Sequence, residues 1–186
     1  DTYLYDIQSQ TFTLISQNRV GTEPTYTSQS LSYNACYITY TLNNGGVYLY
    51  NRINDTSTLI DINGISGVTS ANGEFVAYIN RITRNLYLYQ RSMGTSQLID
   101  DDDQNYFVSI SADGSLIAYT NGHGEIYTYN TQTGDRTLLT PYLISPDQKR
   151  SFNPQITADG SYVVFGSFSR GLVTGPDTVS GDVFAY

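Results

Sequence analysis

Residues 111–120 read SADGSLIAYT, a small polar turn running straight into an apolar stretch. The same pattern returns at 32–41 (SYNACYITYT), 70–79 (SANGEFVAYI) and 157–166 (TADGSYVVFG). A second element follows each copy: GVYLYN from Gly46, NLYLYQ from Asn85, EIYTYN from Glu125 and DVFAY from Asp182. A third follows the first three: STLI ending at Ile60, SQLI at Ile99 and RTLL at Leu139. Elements recurring in phase across the copies establish an internal repeat.

Each unit reads as four short strands. The first precedes the turn, for example Phe107 to Ile110. Asn72-Gly73, Asp113-Gly114 and Asp159-Gly160 read as hairpin turns, because Gly accepts positive φ and Asn or Asp accepts it next best. Asn34-Ala35 departs from this and leaves the type of that turn open. The second strand is the apolar run. The third, such as IYTY, alternates at period two, as a half-buried strand does. The fourth is Thr- and Leu-rich, and no stretch has helical periodicity. A four-stranded unit recurring every 40 or so residues is the mark of a β-propeller blade. One small sheet cannot bury both faces, and stacked neighbours can. Ile117, Tyr119, Ile126 and Tyr127, with their equivalents, are the expected filling between blades.

These turns and strands resemble the TolB-like, WD-repeat-like propeller family, whose units carry a Ser-x-Asp-Gly turn followed by an apolar and then an aromatic strand. The resemblance covers almost the whole chain. The last unit is similar to a variant of secreted bacterial proteins, in which a longer loop joins the second and third strands. That loop here is RGLVTGPDTVSGDVF (170–184), departing from the variant by Pro176 before Asp177 and by Val179 at a turn position. The resemblance implies the fold, all-β with four-stranded antiparallel blades, and is nearly silent on chemistry.

Composition agrees. Of 186 residues, 18 are Tyr and none is Trp; Tyr suits a pleated surface with its hydroxyl left wet. The net charge of −8 leaves no basic footprint for nucleic acid. No apolar run is long enough for a membrane-crossing helix, so no membrane insertion is expected. The chain starts at Asp1 without Met, as a processed product or a fragment would. Cys36 has no partner for an internal disulfide and reads as a small buried hydrophobe on a strand.

The units are bounded at about 1–20 (partial), 21–61, 62–100, 101–141 and 142–186, the last without its fourth strand. About four blades are encoded, and both ends fall inside a blade. Residues 11–16 (TFTLIS) are placed to complete the sheet begun at Phe152, leaving Thr2, Tyr3, Leu4, Tyr5 and Asp6 over. The chain then reads either as a window of a longer propeller or as a unit whose strand 2–6 pairs with another subunit.

Candidate chemistry is sparse. Asp101, Asp102 and Asp103, after Asp100, form an acidic run between units, and Asp177 and Asp182 lie in the last loop. Carboxylates on loops suit Ca²⁺, the one cofactor the sequence suggests, but no complete calcium loop is present. A solvated acidic turn is the competing reading. His123, the single His, sits in a Gly-flanked turn and can make neither a zinc site nor a triad unaided. Asp113 and Asp159 recur with the repeat and are therefore structural. Arg81, Arg84 and Arg91 surround one third strand. Asn54-Asp55-Thr56 is a glycosylation sequon, relevant if the protein is secreted.

The expectation is a non-enzymatic interaction or structural module, extracellular or on a cell surface. Its partner would be another protein, or itself through edge strands. Two alternatives stand beside it: a subunit of an extracellular fibre built by strand sharing, and the propeller part of a larger prolyl-oligopeptidase-like enzyme whose catalytic domain lies outside this chain.

Overall fold

The computed structural model describes residues 2–16, 29–42, 46–102, 107–140, 151–168, 172 and 182–186, with the backbone alone at 182 and 184. Among them are seventeen strands and no helix. They form five antiparallel sheets in chain order. Sheet one pairs β1 (Tyr3–Asp6) with β2 (Thr11–Leu14). Sheet two is β3 (Ser30–Leu31), β4 (Tyr37–Thr41), β5 (Val47–Asn51) and β6 (Thr56–Asp61). Sheet three is β7 (Gly64–Thr69), β8 (Phe75–Asn80), β9 (Leu86–Gln90) and β10 (Thr95–Asp100). Sheet four is β11 (Phe107–Ile110), β12 (Leu116–Thr120), β13 (Ile126–Asn130) and β14 (Arg136–Leu138). Sheet five is β15 (Ser151–Ile156), β16 (Val163–Ser167) and β17 (Asp182–Ala185). Every sheet is a meander in which each strand pairs with its sequence neighbour.

The core lies between sheets. Ile15, Ile38, Tyr40 and Tyr48 join sheets one and two; Val47, Leu49, Val76 and Tyr78 join two and three. Ile79, Leu86, Val108, Ile117 and Tyr119 join three and four, with half-buried Tyr127 against them. Ala118, Ile126, Val163 and Phe165 join four and five. The second strand of a full blade is therefore buried on both faces, which is why LIAYT and its equivalents read as continuous apolar runs. Within each full blade a cross-strand tyrosine pair stacks: Tyr40 on Tyr48 at 5.2 Å, Tyr78 on Tyr87 at 5.6 Å, Tyr119 on Tyr127 at 5.8 Å.

The repeated turn is longer than a two-residue hairpin. Ser111 N–H donates to the Leu116 carbonyl, and Gly114 N–H donates to the Ser111 carbonyl. Residues 112 and 113 are the centre of the turn, and positive φ falls on Gly114 alone (77°). The same bonds occur at Ser70, with Gly73 at φ 68°. Ala35 takes φ 53° in the first copy, so the turn left open by its sequence has the common geometry, with alanine strained into it. Glycine is needed at this place for a second reason. A Cβ on Gly73 would run into the Tyr37 ring, and one on Gly114 into the Phe75 ring. Each turn thus seats the first residue of the preceding blade's second strand. A backbone chain joins the same turns: Tyr33 N–H donates to the Ala71 carbonyl, Ala71 to Ala112 and Ala112 to Ala158.

Two expectations are corrected. Residues 11–16 do not complete the sheet begun at Phe152, and Thr2, Tyr3, Leu4, Tyr5 and Asp6 are not left over. β1 pairs with β2, from Tyr3↔Leu14 to Asp6↔Thr11. A local hairpin closes a short loop at far smaller entropic cost than a pairing across the whole chain. Asp6 Oδ1 holds its turn, accepting from Gln8 N–H and Ser9 N–H at 2.9 Å each. Cys36 lies in the turn before β4, half-buried, and not on a strand.

Gly114→Ala combines positive φ with a clash against Phe75, and is expected to cost about 3 kcal/mol. Gly94→Ala is the control: φ is 65° but nothing lies within 4 Å of the added Cβ. It should cost only about 1 kcal/mol. Urea midpoints of the two variants check the difference.

Candidate functional site

The recurrent aspartates are consumed by their turns. Asp113 Oδ1 accepts from Ser115 N–H (2.9 Å), Ser115 Oγ (2.8 Å) and Ser111 Oγ (2.7 Å). Asp159 Oδ1 accepts from Thr157 Oγ1 (2.6 Å), Ser161 Oγ (2.7 Å) and Ser161 N–H (3.0 Å). These bonds, led by Ser115 N–H at Asp113 and by the Thr157 hydroxyl at Asp159, favour the ionised form. They hold Asp113 below the ordinary carboxylate value and Asp159 down at about 2. Asn34 and Asn72 accept in the same way in the earlier copies. An acid is therefore not required, and the residue has a structural role.

The acidic run splits by environment. Asp100 ends β10 with its side chain 1% exposed and paired to Arg136 Nη2 at 3.1 Å. The Arg136 guanidinium also lies over the Tyr127 ring at 3.8 Å and the Tyr119 ring at 5.7 Å. Burial, and then the neighbouring Asp100 carboxylate, push the Tyr119 hydroxyl above its ordinary value. Asp101 is exposed. Asp102 Oδ2 accepts from Asn121 Nδ2 at 2.9 Å, and its Oδ1 lies 3.9 Å from His123 Nε2. Asn121 also donates to Glu125 Oε2 at 2.9 Å. Asp103 and Asp177 lie outside the described residues, as does the Asp182 side chain. Among the described residues no three His, Cys, Asp or Glu side chains gather as a metal site would need.

Of the arginines around the third strand of sheet three, Arg91 is bound in place. It pairs with Glu74 at 3.1 Å, donates to the Gly73 carbonyl and stacks on Tyr37 at 4.5 Å. Arg84 takes φ 62° in the turn before β9. His123 is an exposed turn residue, as expected. Asn54 is exposed in the β5–β6 turn, where its Oδ1 accepts from Thr56 Oγ1.

Two open grooves run between sheets. One, of about 340 Å³, lies between sheets one and two and is lined by Thr2, Tyr3, Tyr5, Leu31 and Ile38. The other, of about 640 Å³, lies between sheets two and three and is lined by Leu59, Asp61, Tyr78, Tyr89, Gly94 and Ser96. In it the Tyr78 hydroxyl donates to Ser96 Oγ at 3.0 Å. Burial, with Asp61 adding to it, pushes that phenol up to about 12. The repeat alignment pointed to neither groove, because it marks the residues that recur and says nothing of the space left between neighbouring sheets.

No family model matches the chain, and no curated protein does. Solved structures do. A putative TolB from Agrobacterium tumefaciens superposes with a TM-score of 0.65 at 17% identity, over 97% of this chain and 63% of that one. The tricorn protease superposes with a TM-score of 0.59 at 13% identity, over 98% of this chain and 23% of that one. Both are β-propellers, and at these identities the likeness is one of fold.

Two outcomes follow. The folded value of Asp159 is depressed, so its contribution is complete above the ordinary carboxylate value and is lost as pH falls through about 2. Asp159→Asn, neutral at every pH, should lower the neutral-pH melting temperature and flatten its decline between pH 4 and 2. Arg136→Ala strands the buried Asp100 carboxylate. Allowing for the half-exposed arginine, it should cost about 2 kcal/mol in urea unfolding.

Proposed function

We propose that this β-propeller is a non-enzymatic, extracellular interaction module, meeting a protein partner through the end that carries its Ser-x-Asp/Asn-Gly turns. In a meander the first–second and third–fourth turns share one end. Hydrogen bonds join them: Arg52 N–H to the Cys36 carbonyl and Arg91 N–H to the Glu74 carbonyl, both at 2.8 Å. The carrying observation is apolar exposure at this end. Ile7 (82%) lies in the β1–β2 turn of sheet one, Ile53 (74%) and Met93 (68%) in the β5–β6 and β9–β10 turns of the next two sheets, and Tyr33 (94%) in the neighbouring β3–β4 turn.

None of these side chains is needed for packing, and sheet four folds the same turn from Thr131, Gln132 and Thr133. Single exposed apolar residues are ordinary; their return on one turn of consecutive blades marks a surface meant to be covered. The other end also exposes Ile62, Ile82 and Phe168, but Ile62 lies between two sheets, and Ile82 and Phe168 follow the second strands of sheets three and five, which are not neighbours. Asn54 adjoins Ile53, so a glycan there would compete with the partner. The reading therefore takes Asn54 as unmodified.

A photo-crosslinker placed at residue 53, in extracts of the source cells, should give an adduct that unlabelled chain displaces. The same group at residue 98, on an outer strand, should give none. Absence of a displaceable adduct at 53 overturns the reading.

A further inference from the structure

The gap between sheets three and four is a template for the groove between sheets two and three. Strand register gives the correspondence. Ser96 lies across from Tyr89 as Arg136 does from Tyr129, and Tyr78 across from Tyr87 as Tyr119 does from Tyr127. Asp61 lies across from Val47 as Asp100 does from Leu86, each two residues beyond the leucine facing the paired tyrosine. Ser16 and Thr140 hold that place after β2 and β14, so among the described residues an acid occupies it only at Asp61 and Asp100.

Even the minor bonds agree. Asp61 Oδ1 accepts from Asn63 N–H at 2.8 Å, as Asp100 Oδ1 does from Asp102 N–H at 2.9 Å. The difference lies at the other oxygen. Asp100 Oδ2 has the Arg136 guanidinium; Asp61 Oδ2 has the neutral Asn80 amide at 2.9 Å. Where the Arg136 side chain fills its gap, the shorter Ser96 side chain lines an open groove.

We infer that this groove receives an arginine side chain of a protein partner, which pairs with Asp61 and lies against the Tyr78 ring, the counterpart of the Tyr119 ring that lies 5.7 Å from the Arg136 guanidinium in the next gap. A planar guanidinium matches both a carboxylate and an aromatic face, which an ammonium does not do equally well. The chain's charge of −8 favours a cationic visitor. Leu59 and Ile62, both exposed on the groove wall, offer an apolar path for the arginine's methylene stem. This deepens the interaction reading by naming a side chain the partner brings.

The test is a titration of the full chain with acetyl-Gly-Arg-Gly-amide, followed by NMR shifts. The expected result is saturable shifts centred on Asp61, Tyr78 and Ser96, with the lysine and citrulline peptides weaker by about tenfold or more. Asp61→Asn should weaken the arginine peptide by about tenfold. Ser96→Arg should supply the guanidinium in cis, abolish peptide binding and raise the melting temperature. If Ser96→Arg does not fold, the Asp61→Asn comparison decides alone. The inference is overturned if no saturable shift occurs at the groove, if citrulline binds as well as arginine, or if Asp61→Asn changes nothing. A groove indifferent to arginine leaves the residue-53 crosslink standing, and loss of that crosslink leaves the groove titration standing, so the two proposals fail separately.

Discussion

Everything in this molecule leans on the contact between a turn and the blade before it. A sheet of four short strands has two faces to cover and too little surface to do it alone. The turn solves the problem locally. Glycine clears room for the Tyr37 or Phe75 ring, and the serine or threonine hydroxyl and the Asp carboxylate or Asn amide oxygen accept from the loop's own N–H groups. The peptide before the Asp or Asn then bonds to the next turn along. Covalent repeat, hydrogen bond and packing coincide at one point, so each blade is set at a fixed angle to its neighbour.

With that angle fixed, the second and third strands need only be apolar and aromatic. The tyrosines meet both demands. Their rings fill the space between sheets, while Tyr40 and Tyr78 reach outward to Ser57 and Ser96 on the fourth strand. Sheet four departs from this scheme. Arg136 replaces the serine and Asp100 answers it from the neighbouring blade, so a polar tie crosses the gap where elsewhere a hydroxyl pair closes within the blade. That exchange turns one gap into a filled seam and leaves the preceding one as a cleft.

Much of this was legible in the residues. Gly73 and Gly114 announced the turn; Tyr87 with Tyr89, and Tyr127 with Tyr129, announced the third strand; Ile117 and Ile126 proved to be core. The partner of residues 11–16 was not legible. Strand count shows which kinds of strand a chain contains, but every third strand accepts every fourth, and loop entropy chose the nearest. The Asp100–Arg136 tie was overlooked for a different reason. Its signal was in the aligned fourth strands, where STLI and SQLI become RTLL, but a search for sameness passes over a single substitution. Cys36 was misplaced because the apolar run was taken to begin one residue too early.

The chain of amide bonds from Tyr33 through Ala71 and Ala112 to Ala158 has a consequence for how the molecule comes apart. Each link engages adjacent units only, so cohesion accumulates step by step along the array, and no step draws on remote ones. The seam between sheets three and four combines the largest of the four core clusters with the Asp100–Arg136 pair. Tight packing and an ion pair on a buried carboxylate there make it the part of the array most resistant to local opening.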